Sequence, residues 1–388
     1  MLTSFCRTVV LPFLAAALAA SANGAGPDAV VILTERLITV DSSGEAHTTL
    51  RKVIQINNPR GRERLPEARF RYDPRASSLR VLSLARSTRD AAGEWRRQQF
   101  DPAAATEVRQ APDGLRLVVL HFPYATPGQR IDYAVRRRDK PPFQGHFSTV
   151  MLLADAVPVD AFRLEITAPR EMTLYYRAWG CSIKPTQSLA GDQTRYVWAS
   201  TQRMNPVAPA PRVFVSTDAD WNRFGRWARR IYVRASEPTP TVRVAAARNR
   251  LYEGSPDERM RRALDFVRRQ IRDRPSGPGS HPVIPADAES VLRARAGDCK
   301  AKSALLIALL AQAGIEAAPV LLEQLPSPYV FSHCIVKAVI HGRFVWLDPT
   351  TLRPPYPPAG HTPPVGLVVP LDGSEPSLEP VTLYDPSQ

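Results

Sequence analysis

The chain has 388 residues, 44% apolar and 23% charged, a composition that excludes a disordered polymer and a length that exceeds one ordinary core, so two or three domains are expected. A formal net charge of +14 would draw an exported protein to anionic polymers or membrane surfaces, and a merely solvated basic surface is the competing reading. No zinc-finger spacing, RNP-like aromatic motif or long basic run supports nucleic acid as a partner.

The first residues read as a secretory leader. Arg7 supplies a positive start, Val9 to Ala22 is an apolar or small-residue run, and Ala20-Ser21-Ala22 forms the small-x-small site of a signal peptidase. A membrane span needs roughly 20 apolar residues, so this run is short for one, and an uncleaved anchor is the competing reading. Cleavage after Ala22 and export, to the periplasm or medium, are therefore expected. The next apolar run, Ala304 to Ala311, is shorter still, so the mature chain is expected to have no transmembrane span. Once Cys6 leaves, Cys181, Cys299 and Cys334 remain. An odd, sparse set argues against a disulfide scaffold and invites a chemical role for one thiol.

From Val30 to about Val215 short β-rich runs alternate with turn signals. Val31 to Leu33, Lys52 to Ile56, Leu115 to Phe122, Ile131 to Val135 and Phe162 to Ile166 are such runs. Ser43-Gly44, Asn58-Pro59, Pro112-Asp113-Gly114 and Pro127-Gly128 break them. This predicts an antiparallel sandwich, either one body or two subdomains meeting near residue 155. After Thr217 the period changes, and Trp221, Phe224, Ala228 and Ile231 share a helical face behind Asp218 and Asp220. Ser236 to Thr241 reads as a linker. Met260, Leu264, Val267 and Ile271 form a second amphipathic face, and a Gly- and Pro-rich loop spans Pro275 to Pro285. A third helix is expected from about Cys299 to Gly314, apolar nearly all round between Ala304 and Leu310 and hence buried. Strands follow at Ala317 to Leu322, Phe331 to Ile340 and Arg343 to Leu347. From Arg353 onward a proline-rich tail is expected to wrap the surface. The fold class is α+β, an N-terminal all-β sandwich-like region followed by a small α+β domain.

The chemistry concentrates in that second domain. In Gly297-Asp298-Cys299-Lys300, Asp298 suits an N-cap and Cys299 the first helical position, where free amides and the macrodipole favour a thiolate. The charge of Asp298 opposes this, so a base is needed. A buried structural cysteine is the competing reading. The base comes from a hairpin: a two-residue turn at His341-Gly342 pairs Ile340 with Arg343. That register sets His333 opposite Thr350, with Asp348 its diagonal neighbour on the same face. An imidazole oriented by a carboxylate is a general base held in one tautomer; a merely satisfied hairpin histidine is the alternative. Cys334 should point to the opposite face, away from this pair, and His341 into solvent. A zinc site from Cys299, His333, Cys334 and His341 lacks the usual ligand spacing, and no metal or organic cofactor is expected.

Arg295 to Lys300, with Ser303-Ala304-Leu305-Leu306 and Ala313-Gly314-Ile315, resembles the nucleophile motif of the bacterial transglutaminase-like superfamily. Ser332-His333 and Trp346-Leu347-Asp348-Pro349-Thr350 resemble its histidine and aspartate motifs, in the same order. The likeness covers about residues 255–352. It implies a papain-like α+β domain over 243–352, with Cys299, His333 and Asp348 as a catalytic triad for acyl transfer at amide or ester bonds. Peptidase, amidase and transglutaminase chemistry all use such a triad. The implied substrates are peptides, proteins or envelope polymers. Residues 27–235, with Trp221 and Trp227 on the closing helix, resemble a DUF3857 domain, leaving 1–22 as leader and 353–388 as tail. Ala301 departs from the family, which often has aspartate there. Residues 271–298 offer no Gln, Asn or Trp as a second oxyanion donor beside the Cys299 amide. The alternative function is a non-catalytic envelope-binding scaffold that keeps the fold.

Overall fold

The computed structural model describes residues 26–111, 114–122, 125–208, 210–274, 284–322, 333–350 and 365–381. The expected leader lies outside them, as do most of the loop Pro275 to Pro285 and the start of the expected tail. The chain divides into two units, Met1–Thr217 and Asp218–Gln388.

The first unit holds strands β1 (Ala29–Val40) and β2 (Ala46–Ile56), helix α1 (Pro59–Arg64), then β3 (Glu67–Tyr72), β4 (Ser77–Arg89), β5 (Trp95–Phe100), β6 (Thr106–Gln110) and β7 (Arg116–His121). It continues with β8 (Arg130–Asp139), β9 (Ser148–Leu152), β10 (Phe162–Pro169), β11 (Tyr175–Trp179), β12 (Thr186–Ala190), β13 (Gln193–Ser200) and β14 (Arg212–Ser216). Eight strands form one sheet in the order β12-β13-β10-β1-β2-β8-β4-β5, antiparallel except for β1 beside β10. Strict alternation makes one face apolar, as in β10, where Phe162, Leu164, Ile166 and Ala168 are buried and the residues between them are not. Two three-stranded sheets cover that face. One, β3-β7-β6, closes a core of Ile54, Leu84, Leu120, Phe122, Ile131 and Tyr133; the other, β11-β14-β9, closes one of Met151, Phe162, Leu164, Trp198, Val213 and Val215. The two readings of the β region thus merge, as two cores sharing one sheet. Polar groups include Arg36, whose Nη1 donates to the Val150 carbonyl at 2.7 Å, and Lys52, paired with Asp155 at 2.5 Å.

The second unit begins with the helix expected to close the β region, α2 (Asn222–Ala235), which groups instead with the α+β fold. Helices α3 (Pro240–Arg248) and α4 (Pro256–Gln270) follow, then β15 (Arg272–Asp273), α5 (Ala288–Ala294), β16 (Ala296–Gly297) and α6 (Cys299–Gln312). Strands β17 (Ala317–Leu322), β18 (His333–Ile340), β19 (Arg343–Leu347), β20 (Val365–Val368) and β21 (Ser377–Pro380) complete it. Helix α3 starts inside the expected linker because Thr239 caps it and Pro240 takes the first helical turn, where a missing N–H costs nothing. At α4 Ser255 and Glu258 form a capping box. Helix α6 is buried from Lys300 through Leu310, packs on β17 and β18, and is followed after its cap Ala313 by Gly314 with φ +70°.

The five-stranded sheet runs β19-β18-β17-β20-β21, antiparallel throughout. Its last two strands correct the expected surface-wrapping tail. Leu367, Val369 and Val381 are buried, and Lys337 of β18 pairs with Glu379 of β21 at 2.7 Å. Among the described residues no helix is long and apolar enough to cross a membrane.

Candidate active site

The lead-in to α6 is pinned before the helix starts. β15 lies parallel to β16, pairing Asp273 with Gly297, and the Arg274 amide donates to the Gly297 carbonyl at 2.9 Å. The buried Lys302 reaches back from the helix to Asp273 at 2.7 Å. Asp298 is extended and acts as N-cap, Oδ1 accepting from the Ala301 amide at 3.0 Å. Its other oxygen accepts from Lys300 Nζ at 2.6 Å. The carboxylate expected to oppose an anion at Cys299 therefore has its charge compensated by the residue just beyond. Cys299 opens the helix half-buried, at the amide-rich end that favours negative charge.

His333 and Asp348 are set by the hairpin. His341 and Gly342 both take positive φ, +51° and +74°, the two-residue turn that matches strand twist. The ladder then pairs Ile340 with Arg343 and Val336 with Leu347. Asp348 leaves the strand just beyond, and its Oδ2 meets His333 Nε2 at 2.8 Å. Three further bonds hold Asp348. Oδ1 accepts from the Thr350 amide at 2.8 Å and hydroxyl at 2.7 Å, and the main-chain carbonyl accepts from Arg268 Nε at 2.8 Å. Cys299 lies close enough to His333 to act on it electrostatically. With Nε2 committed to Asp348, Nδ1 is the nitrogen left for the sulfur.

The electrostatics follow from these contacts. Burial disfavours charge on His333, but the bond to Asp348 and the nearby Cys299 outweigh it and push its pKa up to about 10. Burial likewise opposes ionisation of Asp348, yet His333 and both Thr350 donors hold its carboxyl below the usual range.

Cys299, His333 and Asp348 are thus brought together, and the other weighed residues are not part of the cluster. Cys334 points to the opposite face of β18, as alternation requires. There it is fully buried with Sγ 3.1 Å from the Tyr232 hydroxyl. Burial first, and the neighbouring Cys299 next, push this thiol up to about 12. His341 is at the turn tip, exposed and 2.7 Å from Asp257. Cys181 lies in the first unit, and all three described cysteines are free. Among the described residues no group of three or more His, Cys, Asp or Glu could hold a metal ion. Sequence reasoning missed Lys300 as the partner of Asp298, Arg268 as an anchor and Tyr232 as the neighbour of Cys334. The Thr350 contact was visible in the register, which set Thr350 opposite His333.

Comparison with known proteins agrees with this fold. Residues 42–205 match DUF3857, a domain of unknown function with a solved structure, and residues 245–349 match the transglutaminase-like superfamily. A crystal structure described as a "putative protease" from Parabacteroides distasonis ATCC 8503 superposes with a TM-score of 0.72 at 16% identity, covering 91% of this chain and 72% of that one. It shows a shared fold. A "putative cysteine protease" from Cytophaga hutchinsonii covers 87% of this chain and 86% of that one, at 13% identity and a TM-score of 0.26, too low to weigh. A search of curated proteins finds no match. Residues 245–349 therefore belong to the transglutaminase-like superfamily, and a DUF3857 domain precedes them.

Proposed function

We propose that this protein is an exported thiol enzyme transferring acyl groups at amide or ester bonds, with Cys299 as nucleophile, His333 as acid and base, and Asp348 as the residue that orients the imidazole. One observation carries the reading. A cysteine at a helix N-terminus stands near an imidazole whose Nε2 is held by a buried carboxylate, the arrangement that activates a nucleophile.

The thiolate attacks the carbonyl carbon, forming a C–S bond and placing negative charge on the carbonyl oxygen. The Cys299 amide, free at the helix start, faces that oxyanion. His333, held as imidazolium, gives its Nδ1 proton to the departing amine or alcohol as the C–N or C–O bond breaks. Water or an amine then attacks the thioester while His333 takes up the incoming proton, and thiolate leaves with the acid or new amide formed. A peptide or protein substrate is supported by the likeness in fold to a structure described as a "putative protease".

Alkylation with iodoacetamide near neutral pH tests the reading. Cys299 should react well before Cys181 and Cys334, and His333→Ala should slow it strongly. Equal rates at all three cysteines, unaffected by His333→Ala, would leave a binding scaffold as the better account. N-terminal sequencing of the secreted or periplasmic protein should begin at Asn23; an intact Met1 would refute export by a cleaved leader.

A further inference from the structure

The large sheet of the first unit has a second face, opposite its two cores. Residues directly paired across strands share a face. In β8 the core side carries Ile131, Tyr133 and Val135, so Arg130, Asp132, Ala134, Arg136 and Arg138 lie on the other. Arg136 stands directly opposite Arg80 of β4, and both are exposed. Like charges directly opposed destabilise a ladder. Arg130 lies opposite Ser87, whose strand continues on the same face to Arg89, opposite Trp95. Two guanidiniums thus share one indole, Arg130 at 3.8 Å and Arg89 at 5.1 Å from its ring centre. Burial, then the charge of Arg89, pushes Arg130 down to about 10.

Neutralisation is incomplete. Asp132 is shared by Arg51 and Arg97, Glu45 takes Arg138, and Asp90 in the adjoining turn takes Arg96. Arg80, Arg89, Arg130 and Arg136 have no carboxylate partner among the described residues. The fold therefore keeps two like-charge juxtapositions, six residues apart along β8, or roughly 20 Å at about 3.3 Å per residue. A small anion could relieve one of them but not both. The stripe follows a strand direction, matching one extended chain. Ser87, opposite Arg130, Thr49, opposite Arg136, and Ser78, opposite Arg138, face the same way and offer hydroxyl groups. Both guanidiniums stack on Trp95, which disfavours stacking of bases there.

We propose that this outward face, from Arg89, Trp95 and Arg130 to Arg80 and Arg136, binds an extended anionic polysaccharide, the guanidiniums forking onto its acidic groups and the hydroxyl side chains bonding its sugars. The site lies in the unit that does not contain Cys299 and stands whether or not that thiol is catalytic.

Binding of fluorescently labelled polygalacturonate to the full-length mature protein, titrated against salt, tests this. Affinity should fall steeply with salt, and Arg80→Ser with Arg136→Ser should weaken it at least tenfold. Arg60→Ser with Arg62→Ser removes equal charge from exposed positions on α1 and should change affinity less than twofold. Circular dichroism and melting curves on both double variants check that each is folded. No binding, equal loss in both double variants, or tighter binding of single-stranded DNA of matched charge would overturn the proposal.

Discussion

At the level of single residues, the site was legible where chemistry is coupled to backbone periodicity. The pairing of His333 with Asp348 followed from a two-residue turn and a ladder of alternating faces. Contacts set by side-chain reach were not legible. Lys300 curls back to Asp298, and Arg268 crosses from α4 to the Asp348 carbonyl; no spacing rule announces either. Thr350→Val removes one of the two donors on Asp348 Oδ1 while preserving shape. Loss of one hydrogen bond to a charged group costs about 1.5–3 kcal/mol. The variant should therefore lower kcat by roughly tenfold or more with little change in KM, and Thr350→Ser should restore it. An unchanged kcat would show that the Thr350 amide alone suffices to hold the carboxylate. The same cluster sets a pH dependence. The His333 pKa is raised in the folded state, so its contribution to stability is fully present below about 6.5, its unfolded value, and is lost as pH rises through about 10. The Asp348 pKa is lowered, so its contribution is present above the usual carboxylate value and is lost in acid. The melting-temperature difference between the native protein and Asp348→Asn should accordingly be largest near pH 5–6 and shrink toward pH 10. A difference that grows toward pH 10 would contradict the ion pair.

At the level of elements, periodicity found the buried helix α6 and the hairpin, both long enough to repeat a pattern. It failed at the C-terminal stretch because proline-rich composition hid two four-residue strands, too short for alternation to stand out. Residue Gly366 shows that β20 is packed rather than laid on the surface. A Cβ there would stand 2.5 Å from Val320 Cγ1 and 2.9 Å from Leu322 Cδ2. Gly366→Ala should therefore separate β20 from β17 or strain the core, lowering stability by about 1–3 kcal/mol in a denaturant titration. A neutral result would mean that β20 does not pack on β17. The start of α6 gives a second comparison. Asp298→Ala removes the cap and should cost about 1 kcal/mol. Asp298→Asn can keep the bond to the Ala301 amide and should cost less, although it leaves Lys300 without its partner. Equal losses in the two variants would assign the effect to the ion pair rather than the cap.

For the whole molecule, the change from a period of two to one of 3.6 located the division of the chain, but not which side α2 belongs to. An amphipathic helix carries no mark of the core that its apolar face will join. The assignment of α2 to the second unit has a consequence for the site. Its Tyr232 is buried beside Cys334, whose neighbour in sequence is His333. Burial, and then Cys334, hold the Tyr232 phenol well above its ordinary range, so it stays neutral at ordinary pH and can donate to the thiol. The contacts described above for the three candidate residues come from between Asp218 and the C-terminus: Tyr232 on α2, Arg268 on α4, Asp298 and Lys300 at α6, and Thr350 beyond β19. A fragment of residues 218–388 should fold, and iodoacetamide should label its Cys299 at a rate within a few-fold of that in the full chain. A fragment starting at residue 236 lacks α2 and leaves Cys334 without its hydroxyl partner, so its labelling should slow and its melting temperature fall. If the longer fragment shows native circular dichroism yet loses selective labelling of Cys299, residues of the first unit are required for activation and the site is not self-contained.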